Sequence, residues 1–218
     1  MELYVVRHGI AEDGGEGTSD ASRALTGKGR RRFQKTARAF GKRGNRLDLN
    51  LTSPLVRAVQ TAEILAGAAD PEEVAVLEEL DPRIDVETLR TAVARRAGKV
   101  ESVAIVGHEP QLSSLLAALS GVSQSDLDLK KGSIVRIDVE AMTDGNSADP
   151  RWWLKPRSGN RVKGLPLQKS AKEKKVSSRE DPSRPQRKRH GKKVRVRVIC
   201  SIKRFAASSR LPRRCPAS

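Results

Sequence analysis

Apolar runs and amphipathic stretches alternate along residues 1–156. Leu3–Val6 is an unbroken apolar run of strand length between Glu2 and Arg7, the pattern of a strand buried on both faces. Residues 10–25 are polar and glycine-rich, with Asp13-Gly14-Gly15-Glu16-Gly17 at their centre, and read as a loop. A helix is predicted from about Gly29, because Phe33, Ala37 and Phe40 fall at i, i+4 and i+7. Its other side carries Arg30, Arg31, Arg32 and Lys35, the composition of a solvated face, and Gly41 and Gly44 end it.

Leu47-Asp48-Leu49-Asn50-Leu51 alternates as a strand does. Ser53-Pro54 reads as a helix N-cap followed by proline at the first helical position. That helix reaches about Ala66, with Leu55, Ala58, Ala62 and Leu65 facing inward. Val74–Leu77 is a short third strand, Asp85 caps a helix from Val86 to about Ala97, and Ser102–Gly107 is a fourth strand. Pro110 opens a helix carrying Leu112, Leu115, Leu116 and Leu119, stopped by Gly121. Ser133–Val139 and Arg151–Leu154 read as later strands. Strand and helix alternate with short connections, which predicts an α/β fold: a three-layer α/β/α sandwich around a mostly parallel central sheet.

Charge divides the chain sharply. The formal net charge is +17, and residues 161–218 hold 20 of the 43 Lys and Arg but 3 of the 26 Asp and Glu. Residues 1–160 are therefore neutral overall, and any polyanion argument applies to the C-terminal segment alone. We place the domain at residues 1–156 and a basic, low-complexity tail at 157–218. Such a tail is too charged and too poor in apolar residues to offset its ordering entropy, so disorder is expected. Both cysteines, Cys200 and Cys215, lie in the tail, so no CxxC metal site or disulfide framework is available before it. No apolar stretch nears the roughly 18 residues of a membrane span, and no leader pattern precedes the first strand. A soluble, cytoplasmic, monomeric protein without membrane association is expected.

The chemistry gathers at strand ends, where open α/β sheets collect ligands. Of three histidines, His8 follows the first strand and His108 follows the fourth. Arg7 precedes His8, and Arg57 lies on the first turn of the helix after Ser53-Pro54. Arginines and a helix N-terminus suit phosphate oxygens. A neutral histidine suits nucleophilic attack on phosphorus, and nearby positive charge disfavours the imidazolium. His108 is then a hydrogen-bond donor to the phosphoryl group.

These segments resemble a known family. Arg7-His8-Gly9, the SPLVRAVQTAE run from Ser53 and Val106-Gly107-His108-Glu109-Pro110 are similar to the motifs of the histidine phosphatase superfamily, the phosphoglycerate mutase-like fold. Arg23-Ala24-Leu25-Thr26 with Gly29, Lys131-Gly132-Ser133 and Trp153-Leu154 with Pro156 resemble its SixA-type phosphohistidine phosphatase branch. The resemblance implies His8 as the phosphorylated nucleophile, and Arg7, Arg57 and His108 as the rest of the phosphate pocket. It implies hydrolysis of phosphohistidine on a protein partner, with no metal and no organic cofactor. Arg23 is a candidate substrate contact.

Ester phosphatases of the superfamily use a carboxyl group to protonate the leaving alkoxide. Glu78, Glu79 and Asp81 are the candidates here, with Glu79 and Asp81 foremost, provided that the pKa is raised. Such an acid would make the protein a broader phosphomonoesterase. Glu109 reads instead as a cap for the following helix. A reading of a different class takes the domain as a scaffold and the tail as a nucleic-acid or acidic-partner binder. The tail also reads as a solvated extension, or as a sequence unrelated to the domain.

Overall fold

The computed structural model describes residues 1–168 apart from residues 16, 18 and 146. Its elements are β1 (Glu2–Arg7), α1 (Gly27–Gly41), β2 (Leu49–Thr52), α2 (Val56–Ala69), β3 (Glu73–Val76), α3 (Val86–Ala97), β4 (Ser102–Gly107), α4 (Gln111–Ser120), β5 (Ile134–Val139), β6 (Ala148–Leu154) and β7 (Arg161–Lys163). One seven-stranded sheet runs in the order β3-β2-β4-β1-β5-β6-β7. The β3-β2-β4-β1 half is parallel, and β5, β6 and β7 continue it antiparallel.

Alternation along the strands builds two cores. Leu3 and Val5 of β1 join Val103 and Ile105 of β4 beneath α3 and α4, with Leu89, Val93, Leu112 and Leu116. Tyr4 and Val6 face the other way with Ala104 and Val106, against Phe33, Ala37 and Phe40 of α1 and Ala58, Ala62 and Leu65 of α2. Helices thus cover both faces, as parallel strands require. Thr26 caps α1 by accepting from Gly29 N at 2.8 Å, and Asp85 caps α3 by accepting from Thr88 N at 2.9 Å. Gly121, at φ +69°, stops α4 in the left-handed conformation that glycine adopts without a side-chain clash.

Three local expectations need correction. Helix α2 begins at Val56, with Leu55 as its uncapped N-cap, not at Ser53-Pro54. The Ser53 hydroxyl oxygen accepts from Leu55 N at 3.4 Å, but its nearer partner is His108, which draws it away from a capping role. The loop over 10–25 contains a short 3-10 turn, Asp20–Ser22, held by Ser19 as N-cap. The fold also continues past the compositional change at Pro156. β7 pairs with β6, and Leu167 bridges to Leu127. Backbone pairing satisfies that segment despite its charge. From residue 169 on, the basic tail and both cysteines lie outside the described residues.

Among the described residues, no helix is long and apolar enough to cross a membrane.

The two helices on the second face pack through small residues. A Cβ on Gly41 would stand 2.0 Å from the carbonyl oxygen of Ala68 at the end of α2. Alanine's helix propensity would gain at most about 1 kcal/mol, whereas overpacking costs about 1–3 kcal/mol or more. Gly41→Ala is therefore expected to lower the urea midpoint, measured by circular dichroism. An unchanged midpoint would show that the α1–α2 contact is looser than this.

Candidate active site

The register of the sheet assembles the site. β1 and β4 pair parallel with Glu2 opposite Ser102 and Arg7 opposite Gly107. The next residue on each strand is a histidine. His8 N donates to Gly107 O at 3.1 Å, and the two imidazoles lie 4.9 Å apart between ring centroids. β2 lies on the other side of β4, with Thr52 opposite Val106 and Ser53 N donating to Val106 O at 2.9 Å. Ser53 therefore stands beside His108, with 2.9 Å between Oγ and Nε2. Gly9 N donates to Thr61 Oγ1 at 3.1 Å, and Thr61 Oγ1 donates to Arg57 O at 2.7 Å. That pair of bonds ties the turn after His8 to the first turns of α2.

The hydrogen bonds point to proton positions. His8 Nδ1 lies 2.6 Å from the carbonyl oxygen of Gly9. A carbonyl can only accept, so Nδ1 carries the proton and a neutral His8 has its lone pair on Nε2. For His108, the arrangement that uses every group has Ser53 donating to Nε2, with the ring proton on Nδ1. That Nδ1 is buried and has no hydrogen-bond partner among the described residues, and the same is true of Nε of Arg7 and Nε of Arg57. Three such buried groups cost about 1–3 kcal/mol each unless an acceptor meets them. Phosphoryl oxygens are acceptors of the kind that such donors lack.

Both histidines are held neutral. Burial is the main reason that His8 is pushed down to about 3, with His108, Arg57 and Arg7 adding repulsion against the bond to Gly9. Burial also dominates for His108, at about 4, with Arg57 and Arg7 opposed by Asp20 and Asp81.

The arginines are positioned by their neighbours. Arg57 is buried and donates from Nη1 to Asp20 O at 2.6 Å and from Nη2 to Asp20 Oδ2 at 2.9 Å. Arg7 donates from Nη1 to Leu129 O at 2.6 Å. Arg23 donates from Nη1 to Asp20 Oδ1 at 2.8 Å and from Nε to Glu12 O at 2.9 Å, so its link to Arg57 runs through Asp20. Asp20 and Ser53 are thus site residues that sequence reasoning missed. Asp20 gives no signal in a polar loop, whereas Ser53 was legible only as a cap.

The three candidate acids lie elsewhere or in the wrong state. Arg83 holds the Asp81 carboxylate with two side-chain bonds, at 2.8 and 2.7 Å, and lowers its pKa to about 2, the reverse of a general acid. Glu79 is paired outward with Arg95 at 3.2 Å, and Glu78 is exposed. Glu109 does not cap α4 either: Pro110 is the N-cap, and Glu109 Oε2 accepts from Ser113 Oγ at 2.5 Å. The geometry suits in-line attack of His8 Nε2 on a phosphoryl group held by cations. Among the described residues, no cluster of three or more His, Cys, Asp or Glu could hold a metal ion.

Residues 3–84 match the family model of the histidine phosphatase superfamily (branch 1). An uncharacterized protein of Picosynechococcus sp. is 35% identical over 164 residues, which are 71% of this chain and 99% of that protein. The structure of the protein histidine phosphatase SixA complexed with tungstate superposes with a TM-score of 0.63 and 25% identity, over 70% of this chain and 96% of that one. SixA from Agrobacterium tumefaciens shares the fold, with a TM-score of 0.61 and 23% identity over 71% and 97% of the two chains.

The depressed histidines make an acid-side prediction. Unfolded histidines take up protons below their ordinary value of about 6.5, while His8 and His108 in the fold resist until about 3 and 4. Stability is therefore full above pH 6.5 and is lost as pH falls toward those values. His8→Gln should flatten the decline in urea midpoint between pH 6.5 and 4. An unchanged slope would show that His8 is not buried as a neutral ring.

Proposed function

The chain belongs to the histidine phosphatase superfamily, and we propose that within it the protein hydrolyses phosphohistidine on protein substrates through a covalent intermediate on His8. It is a phosphatase by family. The finer assignment rests on one observation: two carboxylates near the histidines, Asp20 and Asp81, are held as anions by arginines. Asp20 accepts from Arg57 and Arg23, and Asp81 accepts from Arg83. An ester substrate needs a proton delivered to its leaving alkoxide. A phosphohistidine substrate can take a proton on its own second ring nitrogen, and the imidazole then departs neutral without an acid from the enzyme. The likeness to the SixA protein supports the same reading.

In this mechanism His8 Nε2 attacks phosphorus, and the bond between phosphorus and the substrate nitrogen breaks. Arg7 and Arg57 hold the phosphoryl oxygens, and His108 Nδ1 donates to one of them as charge builds. Water then attacks phospho-His8 in line, releasing inorganic phosphate and restoring the neutral imidazole. The low value of about 3 keeps His8 in its nucleophilic form throughout the neutral range.

Phosphate release from a phosphohistidine peptide, set beside a panel of phosphate esters, tests the assignment. Release from the peptide should exceed release from every ester and disappear in His8→Ala. Arg57→Ala should lower kcat by about 10²–10³, the size of one lost transition-state donor. Equal or faster turnover of esters would make the protein a broader phosphomonoesterase instead.

A further inference from the structure

We propose that a basic cavity beside His8 receives an acidic side chain from the segment flanking the substrate phosphohistidine. This deepens the phosphohistidine reading and rests on it. The cavity measures about 310 Å³ and is lined by Gly9 and Ile10, the two residues that follow His8 in the chain. Gly132 also lines it. Its N–H lies 3.0 Å from both Arg7 O and His8 O, which fixes the Lys130-Lys131 turn against the backbone of the candidate nucleophile.

Four cations line the cavity, Arg32, Lys130, Lys131 and Arg157, and no lining residue is acidic. Lys130 pairs with Asp128 at 3.0 Å. Arg32, Lys131 and Arg157 make no ion pair among the described residues. Residues 1–160 are neutral overall, so this concentration of positive charge is local. Arg157 adds a second sign. Its φ is +76°, a left-handed backbone that glycine or asparagine adopts at less cost. The turn between β6 and β7 nevertheless places an arginine in the cavity lining.

The shape favours a peptide over nucleic acid. The aromatic residue in the wall, Phe33, is buried at 1% exposure, so it offers no open face on which a base can stack. Pro156 supplies an apolar part of the lining for the methylenes of a glutamate or aspartate, with the cations meeting its carboxylate.

The test uses the full chain and the variant Arg32→Gln/Lys131→Gln/Arg157→Asn, in which asparagine tolerates the left-handed backbone. Two phosphohistidine peptides, with glutamate-rich and with neutral flanks, are compared in low and high salt. Wild type should favour the acidic peptide about tenfold in kcat/KM, through KM, and lose the preference in high salt. The variant should fall below about twofold while keeping its kcat on the neutral peptide. A preference that persists in the variant would assign it to the basic tail and overturn the proposal, as would no preference in wild type.

Anisotropy of a labelled, unphosphorylated acidic peptide reads the cavity without catalysis. Weaker binding to the variant supports the cavity even if esters prove to be the substrates, whereas equal binding overturns it. A single-stranded oligonucleotide of equal charge that binds wild type more tightly than the peptide, and loses this in the variant, would overturn it in favour of nucleic acid.

Discussion

The in-register parallel pairing of β1 with β4 is the constraint on which the site depends. Arg7 opposite Gly107 makes the two following residues, His8 and His108, neighbours at the C-terminal ends of two interior strands. Each strand is buried on both faces, with Leu3, Val5, Val103 and Ile105 toward α3 and α4, and Tyr4, Val6, Ala104 and Val106 toward α1 and α2. A slip of one residue would exchange every one of these side chains between the two cores. The apolar packing that stabilises the sheet therefore also fixes the separation of the imidazoles. β2 adds Ser53 beside His108, and β5 closes the other flank, where Arg7 N donates to Ser133 O at 3.2 Å.

Electrostatics then decides which groups carry charge. Two buried imidazoles beside two arginines stay neutral, since burial and like charge both act against protonation. The arginines hold the positive charge, and carboxylates balance it. Asp20 meets Arg57, while Glu109 and Asp128 act on Arg7 against the desolvation that lowers its pKa. Asp20 and Asp81, bonded to Arg57 and Arg83, are held in the ionised form that has no proton to deliver. This division of labour suits a leaving group that can take its proton without them.

Much of this was legible in the sequence because it is local. Apolar runs marked β1 and β4, the histidines followed them directly, and Arg57 followed the Ser53-Pro54 signal within one helical turn. The helices α1, α3 and α4 declared themselves through periodicity, Asp85 and Gly121. The parts that failed are long-range. Ser53 looks like a cap until His108, 55 residues away, takes its hydroxyl. Asp20 sits in a loop without periodicity, and its role depends on Arg57, 37 residues on. Asp81 and Glu79 were plausible acids by position, but Arg83 holds Asp81 as an anion and Glu79 pairs with Arg95. β7 is three residues of Arg-Val-Lys in a basic stretch, ordered by pairing with β6 and not by its own pattern.

The central claim is that the Nε2 lone pair of His8 accepts the phosphoryl group. Rapid quenching of the full-length enzyme during turnover of a ³²P-labelled phosphohistidine peptide, followed by alkaline digestion-compatible peptide mapping and ³¹P NMR of the trapped protein, tests it directly. The account predicts one phosphate per chain, on His8, as the Nε2 isomer. Label on His108, label on Nδ1 of His8, or turnover with no trapped phosphohistidine would contradict it.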